Sequence, residues 1–282
     1  MKSASQIHRL SSELVVIVGP IALRFSGFKE ALPVAVRETF APWLRALPDV
    51  SIVHRASISL GNTQQRHFSL EVEHHHVDWA QDSSRWQLAR PATDLPADWI
   101  RWIDCATRTI CQAVVAQIGG ELLHGATLKI GGTAWIVLGQ SGRGKSTLFN
   151  LMGGYDAGHL HDDKIILWDN RAWTLPAESS ETHPSQVLPK ALIHGGYLSL
   201  GERSSPPRFS TLPKQTLRSE LSNALVETLS PEGDGNRVDW ILRQSLMPAF
   251  QVSYDAEVEI RANKTFEMVR SGLETFFTTP TG

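Results

Sequence analysis

The sequence predicts an α/β protein. A mixed-sheet domain carrying a phosphate-binding loop spans residues 96–282, and a small α+β unit spans residues 1–95. Three observations predict it. "GQSGRGKS" (139–146) satisfies G-x-x-x-x-G-K-[ST] between an apolar strand and a helix. Just before it, "ELLHGATLKI", "GG" and "TAWIVLG" form two strands about a two-residue glycine turn, so the sheet is not purely parallel. Hydrophobic residues make up 41% of 282, enough to bury a core.

The elements follow in order. Residues 13–18 form a strand, and 29–46 a helix that Pro33 and Pro42 interrupt. "SIVHRASISL" (51–60) and "HFSLEVEHHH" (67–76) form a strand pair joined by "GNTQQR". Residues 83–99 read as a linker with two prolines. The clearest helix runs from about Ala97 to Ile118, with Trp99, Ile103, Ala106, Ile110 and Val114 on one apolar face. Pro96 suits its first turn and Gly119-Gly120 its end. In the hairpin Ile130 faces Thr133, and counting outward sets His124 opposite Gly139. A helix starts at Lys145. "KIILW" and "RAWTL" pair about "DN", and "LPKALIHGGYLSL" leads to a loop, "GERSSPPRFSTLP". Helix "KQTLRSELSNALVETL", strand "VSYDAEVEI" and helix "TFEMVRSGLETFF" complete the chain.

A net charge of −2, from 27 basic and 29 acidic residues, argues against broad nucleic-acid or membrane-surface binding. Cys105 and Cys111 are six apart in a helix and point to different sides, so no mutual disulfide is expected. No apolar run has the length of a signal-peptide core or a membrane span. A cytoplasmic protein is expected.

The chemistry starts at the loop. Gly139, Gln140, Ser141, Gly142, Arg143 and Gly144 would turn backbone N–H groups toward phosphate oxygens. The following helix N-terminus, with Lys145, Ser146 and Thr147, adds its dipole. Lys145 would neutralise the β/γ-phosphates of ATP, and Ser146 would ligate Mg²⁺. Asp162 and Asp163, in "HDD", are candidates to hold metal or accept a hydroxyl proton; an ordinary polar turn is the alternative. His124 is structural or functional, and the hairpin register tilts it toward function. His74, His75 and His76 alternate faces on a strand, so they do not converge on one metal. Arg203 and Arg208 are candidates for touching phosphate or substrate, against the commoner reading of solvated loop charges.

"LHGATL…GQSGRGKST…HDD" resembles the catalytic domain of the HPr kinase/phosphorylase family and its HPr-kinase-related relatives. His124 lies 21 residues before Lys145, and Asp163 lies 18 after it. The resemblance spans Asp98 to Asp163. It implies a phosphoenolpyruvate-carboxykinase-like fold and an ATP- and Mg²⁺-dependent kinase. It implies that Asp163 deprotonates an acceptor hydroxyl and also holds metal. Asp162 would assist, His124 would lie near the transferring phosphoryl group, and Lys145 and Ser146 would contact nucleotide and Mg²⁺. The chain departs from that family at its later metal-binding glutamate. Glu178 and Glu181 lie near the right region, in unlike surroundings. The glycine-rich stretch tied to HPr recognition and phosphorolysis is not evident, which points the acceptor away from HPr.

The expected partner is therefore a peptide or protein with a Ser or Thr acceptor, such as a ribosomal-peptide precursor, and neither nucleic acid nor membrane. A homo-oligomer stays open. Three alternatives remain: an ABC-type ATPase subunit, a nucleotide-binding regulator, and a small-molecule kinase on the same fold. "WIVLGQSGRGKSTLFNLMGG" resembles an ABC ATPase and "LSLGERS" echoes its signature. That echo comes only 53 residues after Lys145, and no strand ending in Asp-Glu follows it.

Overall fold

The computed structural model describes residues 13–26, 28, 32–44, 54–60, 68–72, 75–82, 85–88, 95–130, 132–139, 142–145, 147–148, 159–161, 164–175, 191–225, 234–255 and 264–278. The architecture is mixed α/β, with five helices of seven residues or more among them. The chain divides into two compact units, Met1–Val114 with Pro176–Pro189 and Val115–Leu175 with Lys190–Gly282.

The first unit holds a six-stranded sheet. Strands β1 (Glu13–Val18) and β2 (Ile21–Ser26) pair antiparallel, and β1 buries alternate residues. Next come α1 (Val34–Phe40), starting after Pro33, and a short 3-10 turn, Ala41–Trp43, around Pro42. Strands β3 (His54–Leu60), β4 (Phe68–Val72), β5 (His75–Asp82) and β6 (Arg85–Leu88) complete the order β1-β2-β3-β6-β5-β4.

Two expectations are corrected here. β3 does not pair with β4; it lies between β2 and β6, parallel to both. The supposed linker supplies β6, an inner strand of the sheet. Both errors share a cause, since periodicity reports a strand but not its partner. His75 and His76 open β5, opposite Val72 and Glu71; His74 lies outside the described residues.

Helix α2 (Pro96–Gln117) matches its expected limits, and all five residues of its apolar face are buried. Burial extends past that face to Asp104, Thr107, Arg108, Thr109 and Gln112. Asp104 and Arg108, one turn apart, form an ion pair of 2.8 Å that makes their burial tolerable. Cys105 and Cys111 are buried free thiols, and burial pushes the Cys111 pKa well up.

The second unit is built on a nine-stranded mixed sheet. Its strands are β7 (Glu121–His124), β8 (Ala126–Ile130), β9 (Thr133–Leu138), β10 (His159–His161), β11 (Lys164–Trp168), β12 (Arg171–Thr174), β13 (Ala191–Leu200), β14 (Arg208–Thr211) and β15 (Ala249–Ser253). β9, β13 and β15 run parallel, and the other pairs are antiparallel. β13 is long enough to take two partners along one edge. Its first residues pair with β12 and its last four with β15. At the changeover Tyr197 N–H donates to Pro248 O at 2.9 Å, and a Cβ on Gly196 would collide with that carbonyl.

The central strand shows why its sequence is apolar throughout. Trp135 and Val137 face one core, with Leu148 and helix α5 (Lys264–Thr278). Ala134, Ile136 and Leu138 face another, with helices α3 (Lys214–Ala224) and α4 (Asp234–Gln244). A strand buried on both faces cannot alternate in polarity. The "DN" turn is as expected: Asp169 and Asn170 both take positive φ, which a two-residue hairpin requires. The expected loop 201–213 contains β14, and α4 was not foreseen.

Candidate phosphate-binding site

The hairpin pairs Ile130 with Thr133 and stays in register as far as Ala126 and Val137. There the expected extension fails. A Cβ at Gly125 would lie 2.9 Å from Val137 O, and beyond it the chain leaves β9. β7 pairs instead with β11, and His124 is the Cα partner of Lys164. His124 still lines a cleft of about 570 Å³ together with Gly139. The expected neighbours therefore share a site, reached by a bend rather than a continuous ladder.

That pairing has a second consequence. Lys164 directly follows Asp163 in the chain, so the β7–β11 ladder ties His124 to the segment that carries the two aspartates. Asp162 and Asp163 themselves lie outside the described residues, as do Gln140, Ser141, Ser146, Glu178 and Glu181.

Gly139, Gly142 and Gly144 have φ of 138°, 78° and 95°. A side chain is strained at each, which is why the loop needs glycines. Lys145 begins the helix and is 6% exposed; its ammonium donates to Gly139 O at 2.7 Å, tying the helix back across the loop. Gly144 O accepts from Leu148 N–H at 2.9 Å and from the Tyr254 hydroxyl at 3.1 Å. Burial pushes the Tyr254 pKa up to about 12, so it stays a protonated donor. Arg143 is exposed and lines the cleft, and Thr147 is half-buried.

The sequence did not reveal α3 as part of the site. Thr216, Ser219, Glu220 and Asn223 recur at helical spacing and line the cleft, while Leu217, Leu221 and Ala224 enter the core. Glu220 Oε1 accepts from Ser199 Oγ at 2.6 Å, whereas Oε2 is buried with no hydrogen-bond partner among the described residues. A polar helix face normally signals solvent, so nothing in the pattern marked this one.

The sequence matches no protein-family model and no curated protein. Among solved structures, the Hpr(Ser) kinase/phosphatase from Coxiella burnetii is similar at 12% identity. The match covers 55% of this chain and 99% of that one, with a TM-score of 0.30. A superposition that loose transfers nothing from that protein to this chain.

The chemistry on hand is an ammonium on a glycine loop at a helix start, an imidazole, and a carboxylate oxygen with capacity to spare. Such a set suits a polyphosphate and a divalent cation. Among the described residues no three His, Cys, Asp or Glu cluster as a metal cage. Mg²⁺ held largely by phosphate and water needs no such cage.

Proposed function

We propose that the chain is an ATP- and Mg²⁺-dependent kinase, of the phosphoenolpyruvate-carboxykinase-like kind, acting on a Ser or Thr hydroxyl of a peptide or protein. One observation carries the reading: the phosphate loop, His124 and Glu220 all line one cleft. Lys145 and the loop amides clamp the triphosphate. Mg²⁺, when bound, neutralises charge on the phosphate oxygens, and Ser146, Asp163 and Glu220 are the residues that would hold it. The Glu220 oxygen that has no partner among the described residues fits that task. Asp163 takes the acceptor proton, with Asp162 beside it. His124 sits near the transferring group. A ribosomal-peptide precursor is one acceptor of the right chemistry.

Nothing among the described residues favours the ABC-type ATPase reading. "LSLGERS" forms the end of β13 and the loop after it. The test is nucleotide binding and phosphoryl transfer by wild type, Lys145→Ala and Asp163→Asn. Lys145→Ala should lose ATP affinity. Asp163→Asn should keep it, with transfer down by about a thousandfold or more. Unchanged transfer in Asp163→Asn, or ATP hydrolysis that yields no phosphorylated peptide, would overturn the reading.

A further inference from the structure

A second concavity, of about 900 Å³, lies beside the first in the same unit. One side of it is set by strand register. In the β14–β15 ladder Arg208 pairs with Ser253 and Ser210 with Gln251, so these four share one face. The intervening pairs, Phe209 with Val252 and Thr211 with Phe250, take the other face. Phe209 stacks on Phe250 with ring centroids 4.8 Å apart, which fixes β14 and hence the aim of Arg208. The loop after β13 closes the groove with Glu202, Arg203 and Ser204.

Donors dominate this groove. Arg203 and Arg208 have no ion pair or hydrogen bond with described residues, and neither do the Ser210 and Ser253 hydroxyls. Ser204 Oγ is already used, donating to Pro206 O at 2.9 Å. Among the described residues Glu202 is the one carboxylate of the lining. Two planar guanidiniums and two free hydroxyls match carboxylate oxygens.

Its position says which molecule brings them. Leu200, at the end of β13, lines the phosphate cleft, and Glu202, two residues on, lines the groove. Ser253 lines the groove too, and its neighbour Tyr254 bonds the phosphate loop. The groove therefore adjoins the phosphate cleft along one sheet edge.

We propose that this groove binds an acidic segment of the phosphoryl acceptor, its Asp or Glu carboxylates held by Arg203 and Arg208. The proposal rests on the kinase reading for the word acceptor, and on the groove alone for the binding.

The experiment uses the full chain and two labelled peptides. Both carry a central serine; in one it is flanked by Asp and Glu, in the other by Asn and Gln. Binding is read by fluorescence anisotropy for wild type, Arg203→Gln/Arg208→Gln and Gly201→Ala. The last puts a Cβ into Ser253 Oγ and Gln251 and deforms the groove without touching either arginine. A fluorescent ADP reports nucleotide affinity in parallel, and thermal melting reports folding. The acidic peptide should bind wild type, more weakly as salt rises, and about tenfold or more weaker in both variants. The neutral peptide should bind no better than the variants bind the acidic one. ADP affinity should not change. Equal binding of the two peptides, undiminished binding by the double variant, or lost ADP affinity in it would overturn the proposal. Arginine-dependent peptide binding with no phosphoryl transfer would sink the kinase reading and leave the groove as a peptide site. Transfer to the acidic peptide at wild-type rate in the double variant would do the reverse.

Discussion

His194 gives a stability prediction whose size follows from its surroundings. It lies on β13, is 3% exposed, and its Nε2 is 3.1 Å from Gly196 O. The carbonyl only accepts, so Nε2 carries the proton in the neutral ring. Tyr197 packs edge-on at 4.6 Å. Burial lowers the pKa from 6.5 to about 4, opposed in part by the bond to Gly196. Between those values the unfolded chain binds a proton that the folded chain refuses. Stability is therefore full above pH 6.5 and is lost as pH falls toward 4. The whole effect is about 3 kcal/mol, of which about 2.5 is gone by pH 4.5. Carboxylates titrate in the same window, so the measurement is a difference. Urea unfolding at pH 7.5 and 4.5 is compared for wild type and His194→Gln, which keeps a donor for the carbonyl. Wild type should lose about 2.5 kcal/mol more than the variant over that interval. Parallel losses would mean that the ring protonates in the folded state at its ordinary pKa, and the burial argument would fail.

The remaining predictions concern the site and its support. Gly196→Ala drives a Cβ into Pro248 O and to 2.8 Å from the Trp135 ring, and should cost about 3 kcal/mol in chemical denaturation. Tyr254→Phe removes the bond to Gly144 O; about 1 kcal/mol of stability should go, and ADP affinity should fall severalfold in a fluorescence titration. Glu220→Gln should leave the melting temperature level or raised, because it removes the charge of a carboxylate whose Oε2 is buried with no partner among the described residues. If that carboxylate holds metal, half-saturation of transfer by Mg²⁺ should rise by about tenfold or more.

The legible parts of the sequence were local. α2 and the "GG" and "DN" turns each depend on neighbours a few residues apart, and their expected limits lie close to the observed ones. The misreadings are long-range. Nothing near Arg85 says that it starts an inner strand beside β3. Nothing near Gly125 shows the Val137 carbonyl that bends β7 away toward β11. The candidate site divides the same way. The glycine loop and His124 were legible because motif and turn lie in one short stretch. Glu220 and Tyr254 were not, because 75 and 109 residues separate them from Lys145. Only the packing of α3 against the second unit's sheet, and the pairing of β15 within it, bring them to the loop.

The mixed sheet itself explains how such a site is assembled. Parallel β9, β13 and β15 place their C-terminal ends along one edge, where they deliver the glycine loop, the Arg203 loop and Tyr254. Open α/β sheets bind ligands at that edge, since side chains and helix starts there face space left free by the strands. A wholly parallel sheet would supply groups from that edge alone. β11 runs in the sense of β9, β13 and β15, two antiparallel steps from β13, but β7 runs against them, and the β7–β11 ladder sets His124 against the residue that follows Asp163. The glycine loop and His124 thus come from strands of opposite sense. The β7–β11 and β8–β9 ladders share no strand, although Leu123, Ile165 and Leu167 bury in one core with Ile136 and Leu138. A substitution that shifts β11 should then lower phosphoryl transfer while ADP affinity, set by the β9 loop, holds. Equal losses in both would show that the two ladders move as one.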